Sequence, residues 1–380
     1  VSEVAVAERA TPAPADRRAA RPDQDLSALT WVHAELRRSL DSAHKSLRRY
    51  LKESSAVVRS DVDMVDSGVL RLARTALHQG VGALEMIGLP AAAQVLRGSE
   101  TAVQRMVGKP ALVTLPAVES IERSSFALLD FLARQLAGKP VSPLLLFPAY
   151  RATQQLAGAD RVHPADLWAT PWQWREVSPD RSAQARRSDD AARGEMESLV
   201  LALMRQSDVA ALSRMSDFCA DLAAGAAAST AENSAHLTTF WQLAAAMFEA
   251  QAAGLLASDV YVKRIASRLL AQLRMGTRGQ PALSDRLAQD MLFFCMHASS
   301  PTDAHPAPRL AAVRRTWRLD RESSADYEAT SLGRFDPAVL ALARKRVAGA
   351  KEAWSAVAGG EVQRLVSLAE VFALVGDSAQ

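Results

Sequence analysis

The residues best placed by type and spacing to do chemistry stand in LHQGVGALEMIGLP, residues 77–90. There His78 is followed by Gly82, Gly88 and Leu89 in the pattern H-x3-G-x5-G-L. An imidazole titrates near neutral pH and serves as nucleophile, proton carrier or metal ligand. On a helix, positions four apart share a face, so glycine at 82 removes a side chain that would crowd an approach to His78. His78 also follows the apolar Leu77, at the edge of a stripe, which predicts an exposed ring.

Other candidates carry less. His163 lies near Asp160 and Asp166 in DRVHPADLW, a pattern that suits a turn-stabilising group better than a metal ligand. His297 and His305, with Asp303, read the same way. His33 and His44 are eleven residues apart on one helix, three turns and too far to chelate one ion. Glu35 and Glu53 show no carboxylate pairing for glycosidase chemistry. Phosphate-cradling and nucleophile-elbow motifs are absent, so no catalytic residue, cofactor or metal is expected. Cys219 and Cys295, each inside an apolar stretch, read as buried free thiols of a reducing cytoplasm. Lys263, Arg264, Arg268 and Arg274 form a basic helical face, of the kind that an arginine-rich chain shows by default.

The elements that must hold His78 are helical. Aromatic residues are 6% of the 380 and much of the 49% hydrophobic content is alanine, which favours helices over sheets and excludes a β-sandwich or barrel. The length suggests roughly two or three domains. With 45 basic against 42 acidic residues, charge gives nucleic-acid binding no support. No apolar run is long enough for a membrane span.

Residues 1–25 read as a disordered leader. From there Val32, Leu36, Leu40, Ala43, Leu47 and Tyr50 recur at helical spacing. A second helix is expected after Asp66-Ser67, with a cap from either side chain and the stripe Leu70, Ala73, Leu77, Val81, Leu84. A third runs from about Ala91 to Val107, and a fourth opens at Thr114 and closes at Gly138. Together 26–140 predict an antiparallel four-helix bundle. Residues 141–174, with Trp168, Trp172 and Trp174, read as an irregular Pro/Trp-rich strap over that bundle, and 175–194 as a charged linker. Helical texture resumes over 195–380: helices are expected at about 195–204, 208–223, 231–257, 259–275 with Ser258 as cap, and 282–297, then from Ala311 and over 337–357. The ending falls inside a helical pattern, as expected of a chain truncated at its C-terminus.

The H-x3-G-x5-G-L segment on a second bundle helix resembles the histidine phosphotransfer (Hpt) motif, in which a lysine precedes the first glycine. Here that position is Val81, and a charge favouring a phosphoryl dianion is missing. More broadly, WVHAELRRSLDSAHKSLRRY, LHQGVGALEMIGL, VSPLLLFPAYRATQQLAGADRVHPADLW and LGRFDPAVLALARKRVAGAKEAW resemble the N-terminal region of ChpA/PilL-type, CheA-like hybrid histidine kinases and the related FimL scaffolds, over about 26–376. The resemblance implies an all-α fold, an Hpt-like bundle followed by a second helical bundle, and phosphorelay signalling for type IV pili and twitching motility. It implies His78 as phosphoacceptor, supported by Gly82 and Gly88. The implied partners are response-regulator receiver domains, polar scaffold proteins and, if the chain is part of a longer one, the kinase core of the same polypeptide, an ATP-dependent autokinase. It also implies a cytoplasmic place with recruitment to the cell pole, and no nucleic acid. The alternative is a FimL-like scaffold without phosphoryl chemistry.

Overall fold

The computed structural model describes residues 24–60, 67–139, 141–168, 170, 172–205, 208–278, 283–318, 326–361, 363 and 365–377. Most of the expected leader lies outside them, and its last two residues already belong to the first helix. The fold is all-α: thirteen α-helices and no strand occur among the described residues, apart from one isolated bridge between Thr302 and His305.

Five helices build the first half. They are α1 (Gln24–Ser60), α2 (Gly68–Met86), α3 (Pro90–Gly108), α4 (Leu115–Leu136) and α5 (Phe147–Ala157). The predicted stripes are the buried faces: Val32, Leu36, Leu40, Ala43, Leu47 and Tyr50 on α1, and Leu70, Ala73, Leu77, Val81 and Leu84 on α2. Helix α1 packs on α2 and α4, and α2 on α3. Asp66 lies outside the described residues, and Ser67 makes no side-chain cap, since its backbone is already helical. Thr114 does cap α4, accepting a bond from the Ala117 N–H at 3.4 Å.

The strap over 141–174 is less irregular than its proline content suggests. It contains α5, whose Phe147, Tyr150 and Thr153 are buried at three-residue spacing where α5 lodges against α3 and α4. Pro148 does not oppose this helix, because it stands in the first turn, where no N–H is needed. The tryptophans reach beyond the first helices. Trp168 packs on Phe293, Trp172 stacks on Trp317 at 6.1 Å, and Trp174 stacks on His236 at 4.9 Å.

The remaining helices are α6 (Asp190–Arg205), α7 (Val209–Ala227), α8 (Ser234–Ala252), α9 (Val260–Thr277), α10 (Asp285–His297), α11 (Pro308–Trp317), α12 (Pro337–Ala358) and α13 (Leu365–Asp377). Helix α8 is buried nearly all round, from Thr238 to Phe248, and so forms the centre against which α7, α10 and α11 pack. Asp259, not Ser258, caps α9, its carboxylate accepting the Val262 N–H at 2.8 Å.

The stretch read as a charged linker is bound along its length. The Thr239 hydroxyl donates to the Arg175 carbonyl at 2.9 Å and accepts from the Val177 N–H at 3.2 Å. The Gln184 and Arg186 N–H groups donate to the side chain and carbonyl of Asp221. Arg309 holds Asp180 at 2.8 Å and reaches Ser216 and Asp217 with its other nitrogen. A segment rich in charge is here ordered by pairing, which composition alone cannot distinguish from solvation. The buried side chains of both halves, from Val32 to Leu332, form one contiguous core.

Candidate functional site

Helix α2 places His78 on its solvent side because Leu77, Val81 and Leu84 turn the other side into the core. The His78 side chain is 71% exposed. Its Nδ1 lies 3.0 Å from Oε1 of Glu100 on α3. A carboxylate only accepts, so Nδ1 is the donor of this contact. Arg74 approaches the same Glu100 oxygen at 3.8 Å, and Arg97 on α3 pairs with Glu85 on α2. The ring is therefore held by an acidic neighbour, with arginines one step away. Val81, at the lysine position of the resembled motif, is buried and contributes no charge.

The glycines divide by role. A Cβ at Gly82 would meet nothing within 4 Å, so this glycine leaves an open surface one turn from His78. Gly80, which the motif does not include, is the packing glycine: a Cβ there would stand 2.7 Å from Leu36 and 2.8 Å from Leu96, where α1, α2 and α3 meet. Gly88 ends α2 with φ +74, its N–H donating to Glu85 and the Leu89 N–H to Leu84. This left-handed C-terminal turn accounts for a glycine at 88 without reference to His78.

Two large apolar side chains of α2 are also exposed, Leu72 six residues before His78 and Met86 eight residues after it, 66% and 79% exposed. They depart from the stripe Leu70, Ala73, Leu77, Val81, Leu84, and that departure is the sequence signal that could have found them. Glu100 had no such signal, because its nearness to His78 depends on the packing of α3 on α2. The solvent side of α2 thus carries a positioned imidazole, an open glycine and two exposed apolar side chains.

The remaining candidates have structural partners. His163 accepts the Ala165 N–H on Nδ1 at 3.2 Å while Asp166 accepts the His163 N–H, a reciprocal cap on the short turn Pro164–Leu167. Burial beside Tyr261, Phe293 and Phe294 lowers its pKa to about 4, against the pull of Asp290. His297 bonds the Phe293 carbonyl, and His44 bonds Ser125 at 3.0 Å, with burial lowering the His44 pKa. His305 lies in the exposed turn bridged to Thr302, near Asp303, and His33 is half-buried with its pKa lowered, chiefly by burial. Glu35 and Glu53 pair with Arg38 and Arg49 on their own helix. Of the basic α9 face, Arg268 binds Asp290 and Arg274 binds Glu197, while Lys263 and Arg264 are exposed. Among the described residues no three His, Cys, Asp or Glu gather as a metal would require. No helix among them is long and apolar enough to cross a membrane. Both cysteines are free and buried. A cleft of about 370 Å³ beside α6 and α7 mixes Arg186 and Arg214 with Glu195, Asp217 and Asp221 around Phe218.

No curated protein and no solved structure matches the chain. Residues 181–330, from the bound segment before α6 to the stretch after α11, match the family described as FimL scaffold protein second domain.

Proposed function

We propose that this chain is a FimL-related helical scaffold that docks a signalling partner on the exposed face of α2. The observation that carries the scaffold reading is the match of residues 181–330 to the second domain of FimL scaffold proteins. The docking face is the solvent side of α2, which carries His78 and the exposed Leu72 and Met86 and, at Gly82, open space that leaves room for a partner's backbone. The partner class is a response-regulator receiver domain, with polar scaffold proteins as further ligands and a cytoplasmic, pole-recruited setting. In this reading no phosphoryl group moves.

One observation favours a second reading, phosphotransfer. Glu100 holds Nδ1 of the exposed His78 ring at 3.0 Å, and an unprotonated Nε2 would be the nucleophile. A receiver's aspartyl phosphate would then lose its phosphoryl group to Nε2, freeing the aspartate, and the chain would serve as the Hpt-like region of a CheA-like hybrid kinase controlling twitching motility. The buried Val81 leaves the phosphoryl dianion without the motif's cation. Mixing the chain with a radiolabelled phospho-receiver separates the two. The scaffold reading expects no label on the chain. An acid-labile, base-stable label that vanishes in His78→Gln establishes phosphotransfer instead.

A further inference from the structure

Helices α12 and α13 pack against each other as an antiparallel pair, and α12 rests on α4. Along α12, Leu340, Val347 and Trp354 recur every seven residues, with Ala343, Ala350 and Val357 between them. On α13 the series is Leu365, Leu368, Phe372 and Val375. This alternation of three and four is the pattern of helices that bury one seam in a bundle. Here the seam is closed on one side only. Ala350 and Leu368 are buried, whereas Val347, Trp354, Leu365 and Phe372 are about half exposed. The Trp354 and Phe372 rings meet edge to face at 6.3 Å. Of the eighteen large apolar side chains exposed among the described residues, nine lie within 335–377, so the uncovered surface is concentrated here.

The first half shows what covers such a pair. There the α1–α2 hairpin is closed by α3 and α4, two further helices. We propose that a second copy of this chain supplies the corresponding pair, two α12–α13 hairpins closing into a four-helix bundle about a twofold axis. A twofold interface must be complementary to itself, and a seam of like apolar side chains on both helices meets that condition. The four exposed seam side chains, Val347, Trp354, Leu365 and Phe372, offer on the order of 400 Å² per copy, about half of the ~800 Å² that each partner buries in a standard stable interface, and the exposed Val339, Leu342, Val366 and Leu374 on the same two helices add to it. Charge selects the pairing. Helix α12 carries Arg344, Lys345, Arg346 and Lys351 against Glu352, whereas α13 carries Glu370 and Asp377 and no basic residue. Setting each α12 against the other copy's α13 alternates the signs, and setting α12 against α12 does not.

Light scattering across micromolar concentrations tests this on the whole chain. The expected mass is twice 40.9 kDa, falling by half in Trp354→Asp and in Phe372→Asp, while Leu72→Asp, on α2, leaves it doubled. Far-ultraviolet circular dichroism checks that the variants keep their helix. Without any variant, hydrogen-exchange protection of α12 and α13 amides should rise with concentration. A wild-type chain that stays at 40.9 kDa at every concentration overturns the proposal, whether a different protein or another segment covers the seam. A dimer that survives both aspartate variants overturns it as well, since another surface would then hold the copies together.

Discussion

Asp290, wholly buried on α10, receives both terminal nitrogens of Arg161 at 2.9 Å, from a residue 129 positions earlier in the chain. Arg268 adds a third contact at 2.7 Å, and the His163 ring lies 3.6 Å away. Arg161 and Arg286 also bind Asp166, so the strap before residue 174 is tied to α9 and α10 through two carboxylates. A buried carboxylate is tolerated because each oxygen has a charged donor.

Removing that carboxylate is predicted to be costly. Asp290→Ala takes from Arg161 and Arg268, both about one-third exposed, their shared partner while Arg161 keeps Asp166, and should cost about 1.5–3 kcal/mol in urea unfolding. Arg286→Ala, at the more exposed rim, should cost about 1 kcal/mol or less. Equal losses would mean that burial does not set the strength of the cluster.

Stability should depend on pH through His163. Its folded pKa is about 4, against an ordinary imidazole value of 6.5, so the unfolded chain takes up the proton first as pH falls. This contribution is complete above pH 6.5 and is lost as pH drops toward 4, on the order of 3 kcal/mol over the window. His163→Asn keeps a capping acceptor and removes the titration, so its stability should vary less between those pH values, measured by urea titration at each pH.

The glycines of α2 should respond oppositely. Gly80→Ala forces a Cβ against Leu36 and Leu96 and should destabilise by roughly 1–3 kcal/mol. Gly82→Ala meets open space and should stabilise by up to ~1 kcal/mol, as alanine does in a helix interior. Thermal unfolding distinguishes them.

Thiol reactivity reports the core. Cys219 and Cys295 are wholly buried, and burial pushes both thiols up, Cys295 to about 12. Neither should react with an aromatic disulfide reagent in the native chain, and both should react in denaturant. Fast native labelling of either would contradict the packing of α7 or α10.

Much of the fold was legible because local pattern and tertiary burial agree. The stripes of α1 and α2 are buried where spacing placed them. Local pattern failed where the partner is distant. Helix α5 is masked by Pro143 just before it and Pro148 in its first turn, although its buried Phe147, Tyr150 and Thr153 keep helical spacing. The charged stretch before α6 is ordered by Asp221, Thr239 and Arg309, none of them near it in sequence. Asp290 stands between Leu287 and Phe294 in an apolar helix, a hint of a buried charge, but nothing local names Arg161 as its partner. At the site, His78 and the open Gly82 were readable from spacing, whereas Glu100 required the α2–α3 packing. Gly88 had a second reading, helix termination, which its positive φ supports.

The central claim is that the exposed face of α2 docks a receiver domain without needing the chemistry of His78. Isothermal titration of a receiver domain into wild-type chain, His78→Gln and the double variant Leu72→Asp/Met86→Asp tests it most directly. The predicted result is binding kept within a few-fold in His78→Gln and weakened at least tenfold, or about 1.4 kcal/mol, in the double variant. Affinity unchanged in the double variant, or lost with the imidazole alone, contradicts the account.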